Sequence, residues 1–190
     1  MVGSIFEAYP WMITFGSHLA GIKTERCGVV PFAIDKYTLH FLLARHKNTK
    51  ELGDLGGGVK RREFSLGAGF REFCEESRGI FMETYGSPND LEDKLAIIDG
   101  KSMAVIFAPL SIEWLGVANK KFIEKRPTRK CEDEISELVW VDEKRFQDLV
   151  YSWGEDSEDT LRLWKKVQTF FQKTYRSKVI PDLLRMITFV

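Results

Sequence analysis

The sequence predicts an α/β protein, a mixed β-sheet held between helices as an α/β/α sandwich. Three observations carry this. Apolar, β-branched runs, CGVVPFAI and YTLHFLLARH, lie either side of Asp35-Lys36 and read as an antiparallel hairpin. An acidic helix at 65–77 separates them from further strand-like runs, KLAII, MAVIFAP and ISELVWV. Helical spacing then returns from Asp142 to the end. Strands on both sides of one helix, with more helices later, call for a sheet covered on two faces.

In chain order, residues 1–25 read as an N-terminal extension with a short strand or turn. HKNTKE leads from the first hairpin to GDLGGGV, whose three glycines allow a tight turn or close approach to a ligand. At 65–77, Leu66, Phe70, Phe73 and Ser77 line one helix side, and Glu72, Glu75 and Glu76 gather on another. KLAII and MAVIFAP pair through Asp99-Gly100 as a second hairpin. Ser111 is placed to cap a helix running to about Lys125, with Ile112, Leu115 and Phe122 inward. Residues 143–190 form a C-terminal helical part of two or three helices. Trp164, Val167, Phe170 and Phe171 make a core stripe there. No linker interrupts the chain, so 1–190 reads as a single domain.

Composition narrows the function. With 190 residues, 44% hydrophobic, the chain can bury a full core. Its net charge is zero, so no uniform field draws it to nucleic acid or membrane, although a local basic patch is compatible. The cysteines, Cys27, Cys74 and Cys131, are odd in number and widely spaced, which argues against a disulfide framework or structural zinc. No apolar run reaches the roughly 18 residues of a spanning helix. The expected setting is the cytoplasm, with no membrane partner.

The chemistry centres on GAGFREFCEESRGIF, residues 67–81. Glu72, Glu75 and Glu76 stand at i, i+3 and i+4, so their like charges repel by about 0.2–0.5 kcal/mol per neighbouring pair. A cation would turn that repulsion into a ligand set, and oxygen donors without His or Cys favour Mg²⁺ or Mn²⁺. On these residues alone, a solvated face paired to Arg71 and Arg78 is the favoured reading.

Upstream spacing separates the two. Gly57 is followed after five residues by Glu63, and after seven more by Arg71-Glu72-Phe73-Cys74-Glu75-Glu76. This resembles the Nudix hydrolase box: G, five residues, E, seven residues, then R-E-hydrophobic-x-E-E-x-G-hydrophobic. The chain departs from it at Arg78, where the closing glycine comes one residue late as Gly79. It departs again at Leu55 and Arg62, where the family often has proline and glycine. The resemblance implies a Nudix fold and cleavage of a pyrophosphate bond in a nucleoside diphosphate linked to another group. It further implies Glu72, Glu75 and Glu76 as metal ligands, with a Gly57 carbonyl as a further one. Glu63 would support the loop, and Arg71 would orient the acids. Glu134, in the acidic cluster before ISELVWV, occupies the place from which many members draw a base. A strand-flanking charge cluster is the competing reading.

Lys60, Arg61 and Arg62 are candidates for substrate phosphates, or plain exposed loop charge. NKKFIEKRPTRK, residues 119–130, is a strongly basic stretch that could guide RNA or polyphosphate, or simply end a solvated helix. Trp114, Trp140, Tyr151 and Trp153 could stack on a base, with Trp140 better placed in the core. His18, His40 and His46 receive no role. The expected partner is a small nucleotide, such as a nucleoside triphosphate, or capped RNA. Hydrolysis of an mRNA cap, in the manner of some large-DNA-virus Nudix proteins, is the second reading. A non-catalytic Nudix-fold binding module is the third. Nudix proteins often dimerise, so a homodimer is compatible.

Overall fold

A computed structural model of the chain describes residues 12–14, 22–85, 95–100, 102–152, 161–175 and 179–188. His18, Trp153 and most of the N-terminal extension lie outside them. Among the described residues, eight strands form one sheet: β1 (Met12–Thr14), β2 (Arg26–Asp35), β3 (Thr38–His46), β4 (Leu52–Gly53), β5 (Leu55–Gly58), β6 (Ala96–Asp99), β7 (Met103–Pro109) and β8 (Ile135–Asp142). The main path runs β1-β6-β7-β2-β3-β4. β2 pairs with β7 in parallel, and the other ladders are antiparallel. The predicted α/β class with a mixed sheet is what forms.

β2 organises the sheet. One side lies along β7 from Arg26 to Phe32; the other pairs first with β5 (Arg26↔Gly58 to Val29↔Leu55), then with β3. Alternate side chains leave by opposite faces. Cys27 and Val29 enter one core with α1 (Ser65–Glu76), α2 (Met82–Tyr85) and α3 (Trp114–Glu124). Val30 and Phe32 enter another with α4 (Glu143–Tyr151), α5 (Lys165–Thr174) and α6 (Val179–Thr188). Each fully buried Phe or Leu in these layers contributes about 1.5–3 kcal/mol.

Several sequence expectations change in detail. The first hairpin turns at Lys36-Tyr37 (φ 46° and 80°), not Asp35-Lys36, because Asp35 still pairs with Thr38. The glycine run is strand β5 rather than a turn. The acidic helix ends at Glu76, and Ser77 follows it as a buried cap residue. α3 begins at Trp114 with Glu113 at its cap, and the Ser111 hydroxyl accepts from the Glu113 N–H at 3.4 Å. Ile112 is exposed, whereas Phe122 faces inward as expected, together with Ala118. Trp140 is half-buried against the first core and donates its indole N–H to the Trp114 carbonyl at 3.1 Å. The stripe at Val167, Phe170 and Phe171 is core, as expected. No helix among the described residues is long and apolar enough to cross a membrane.

Candidate active site

α1 reaches the sheet through Leu66, Ala68, Phe70 and Phe73. Gly69 sets how closely it lies: a Cβ there would come 2.7 Å from Ile106 Cδ1 and 3.0 Å from Cys27 Sγ. Phe73 stacks on Phe81 at 5.3 Å between ring centroids. At the start of the helix, the Ser65 hydroxyl accepts from the Thr24 N–H at 2.9 Å.

This seating brings the charged edge of α1 against β5, where three consecutive glycines meet three charged side chains. The Gly56 N–H donates to Glu76 Oε2 at 2.7 Å. Gly57 lies against Glu72, and a Cβ on it would stand 2.6 Å from both carboxylate oxygens. The Gly58 carbonyl accepts from Arg71 Nη2 at 3.0 Å. Gly56 also presses on β2, where a Cβ would lie 2.7 Å from the Cys27 carbonyl.

Arg71 is the hub. Nε and Nη2 donate to the two oxygens of Glu63, each at 3.0 Å, and Nη1 donates to Glu72 Oε1 at 2.6 Å. Glu75 Oε2 stands 3.8 Å from the same Nη1. The Arg71 bond, followed by burial acting the other way and the Lys60 N–H, holds the Glu63 pKa below its ordinary value. Charge-assisted forks of this kind fix orientation as well as energy.

Glu76 differs from its neighbours. It is 5% exposed, and burial, then the charge of Asp54, push its pKa well above the usual carboxylate range. Behind β5, fully buried Asp54 accepts from Arg26 Nη1 and Nη2 at 2.6 and 2.8 Å, and Arg26 Nη2 also donates to the Gly56 carbonyl at 3.0 Å. One guanidinium therefore faces two buried acids. Gly28 leaves room for this pair, since a Cβ on it would sit 2.6 Å from Asp54 Cγ.

The donor set fits a hard divalent cation. Glu72, Glu75 and Glu76 offer only oxygen, and the charged form of Glu76, disfavoured by burial and Asp54, is one that a bound cation would stabilise. Among the described residues, no three His, Cys, Asp or Glu side chains already stand in metal-ligand geometry. Arg71 instead occupies Glu63 and Glu72.

The expected residues are distributed unevenly. Gly57, Glu63, Arg71, Glu72, Glu75 and Glu76 come together. Lys60, Arg61 and Arg62 are exposed in the turn before α1. Glu134 is exposed at the end of a 3-10 turn (Lys130–Asp133) and, among the described residues, its side chain makes no hydrogen bond or ion pair. It lines a cavity of about 520 Å³ with His46, Lys47, Lys130 and Asp133.

Four contributing residues were not anticipated. Arg26 and Asp54 form the buried pair, which nothing local to the glycine run announces. Arg129, from the basic stretch, stands 3.6 Å from Glu75 Oε1 and donates to Glu132 at 2.7 Å. Arg78, in the box's glycine position, takes φ +56° and lies buried. Its guanidinium donates to the carbonyls of Phe122 (3.0 Å), Lys125 (2.9 Å), Glu132 (3.2 Å) and Ile135 (3.2 Å). It thereby ties the 122–135 segment to the end of α1.

No protein-family model and no curated protein matches the sequence. Solved structures do resemble it. A MutT/nudix family protein from Enterococcus faecalis is 15% identical over 87% of this chain and 67% of its own, with a TM-score of 0.47. A Nudix hydrolase from M. smegmatis is 15% identical over 93% and 94%, with a TM-score of 0.45. A C. elegans Ap4A hydrolase is 15% identical over 87% and 95%, with a TM-score of 0.41.

Proposed function

We propose that the chain is a Nudix-type hydrolase that uses Mg²⁺ or Mn²⁺ to cleave the pyrophosphate bond of a nucleoside diphosphate linked to another group. A nucleoside triphosphate or similar small nucleotide is the favoured substrate. The observation that carries this reading is the register of Gly56, Gly57 and Gly58 against Glu76, Glu72 and Arg71. An ordinary solvated helix face has no need of a side-chain-free strand beside its carboxylates.

Bound by Glu72, Glu75 and Glu76, with the Gly57 carbonyl as a further oxygen, a divalent cation would offset phosphate charge and lower the pKa of a water. The chain supplies the rest. Glu63 holds Arg71, and Arg71 holds Glu72, so these charges are oriented before substrate arrives. The Gly56 N–H fixes Glu76. Lys60, Arg61 and Arg62 offer cations to phosphate oxygens from the start of the helix. The water attacks phosphorus in line, the bond to the bridging oxygen breaks, and a carboxylate takes the proton. Glu134 is the candidate for that last role. It follows the same 3-10 turn that Arg129 joins to Glu75.

The test is release of phosphate or nucleotide from dNTPs, NDP-sugars, dinucleoside polyphosphates and capped RNA, with Mg²⁺, Mn²⁺ or EDTA. Metal-dependent turnover that Glu76→Gln abolishes is expected. Folded protein inert on the whole panel would sink the reading. Cap hydrolysis is the second reading, favoured by the contact of Arg129 with Glu75, which ties the basic segment 119–130 to the glutamate helix.

A further inference from the structure

On the face of the sheet opposite the glutamate helix, α5 and the start of β7 line an open groove of about 440 Å³. Its rim is cationic. Lys165, Lys166 and Lys173 line it, all three are exposed, and none forms an ion pair among the described residues. Arg26 also lines it, but that charge is met by Asp54. Among the described residues, Glu25 is the one carboxylate in the wall. Three ammonium groups against one carboxylate leave this lining positive, although Lys166 also lies over the Trp164 ring at 5.5 Å.

The floor is apolar. Phe170 and Met103 are each 8% exposed, and Gly100 packs so tightly on Phe170 that a Cβ would lie 2.6 Å from the ring. Lys166, Thr169, Phe170 and Lys173 fall at i, i+3, i+4 and i+7, so one helix face presents cation, hydroxyl, ring and cation in turn. Lys166 and Lys173 are two turns apart, about 11 Å along the axis. Ser102 adds a hydroxyl from the opposite wall. A concave apolar floor with a few polar groups at its rim is what a small-molecule site requires, and this volume is of nucleotide size.

We propose that this groove is a second nucleotide site, which takes a nucleoside di- or triphosphate with its base on Phe170 and Met103 and its phosphates among the three lysines. It does not depend on hydrolysis at α1. Phosphates approach a carboxylate cluster only with a divalent cation, whereas the lysine groove attracts them without one.

Calorimetric titration in EDTA separates the two sites. ADP binds the wild-type chain at one site. The affinity falls at least tenfold in the triple variant Lys165→Gln/Lys166→Gln/Lys173→Gln, falls with added salt, and is unchanged in Glu76→Gln. Thr169→Glu, which sets a carboxylate in the groove, weakens ADP likewise and guards against a folding defect in the triple variant. Adenosine and inorganic tripolyphosphate each bind more weakly than ADP, since each lacks half of the recognition. The site is overturned if ADP does not bind in EDTA, or if the folded lysine variant binds it as tightly as wild type. Equal affinity for ADP and either half-ligand overturns the nucleotide assignment.

Discussion

The Gly56 N–H and the Glu76 carboxylate meet at 2.7 Å, and the Gly56 carbonyl on the same peptide strand accepts from Arg26 at 3.0 Å. One residue therefore links the glutamate helix on one face of the sheet to the buried Arg26–Asp54 pair on the other. Small movements of β5 are felt by both.

Gly57 and Gly58 make a matched pair of substitutions. A methyl at Gly57 must displace Glu72, whereas nothing lies within 4 Å of the Cβ position at Gly58. Gly57→Ala is expected to lower kcat/KM about 10²-fold, the usual cost of misplacing a reacting group by an ångström. Gly58→Ala is expected to stay close to wild type. Steady-state kinetics on the best substrate, with thermal melts as a control for folding, compares them; equal losses in both would contradict the contact.

Asp54→Ala leaves the Arg26 guanidinium largely buried without its partner. Breaking one side of such a pair costs about 3–5 kcal/mol. Urea denaturation should show a loss of that size, and a change under about 1 kcal/mol would mean that water already screens the pair.

At Arg78, two effects compete. A left-handed conformation costs a non-glycine residue about 1–2 kcal/mol, which Arg78→Gly would recover. The same change removes donors to four carbonyls, and hydrogen bonds from a charged group contribute about 1.5–3 kcal/mol each. The bonds outweigh the strain, so Arg78→Gly is expected to destabilise the chain despite restoring the residue usual in the box. A higher melting temperature for the variant would reverse that ranking.

Glu132 gives a pH signature. The N–H of Thr128 first, then the Arg129 guanidinium, hold its carboxyl down to about 2. A lowered folded-state pKa stabilises above the unfolded value near 4.5 and loses that contribution as pH falls toward 2. The melting-temperature gap between wild type and Glu132→Gln should therefore be widest near neutral pH and close on acidification over that window. A gap independent of pH would assign the loss to packing.

Glu134→Gln tests the proposed proton acceptor. Loss of a general base lowers rates by about 10²–10⁴-fold. A fall in kcat with KM held is expected, and an unchanged kcat would move the role to another group.

Much of this was legible in the sequence, because the strands and helices carry their own periodicities and the box residues lie close along the chain. What escaped depends on contacts between distant segments. Helical spacing put Glu76 with Glu72 and Glu75, yet it also stands three residues after Phe73, at the border of the buried face, and β5 closes over it. Glycine weakens a strand, so Gly56–Gly58 left open a tight turn or a close approach; close packing of α1 and β2 is what makes glycine necessary there. Ile112 read as inward only because the helix was started too early.

The mixed pairing of β2 also bears on the order in which the molecule assembles. Its antiparallel partners, β3 and β5, follow within a short stretch of chain, whereas the parallel ladder from Arg26 to Met103 must close a far longer loop. Non-local pairing of this kind slows folding. α1 rests on both β2 and β7, through Cys27 and Ile106 beside Gly69, so its final seating waits for that late closure. In a refolding experiment, hairpin signals would precede the packing of α1 on the sheet.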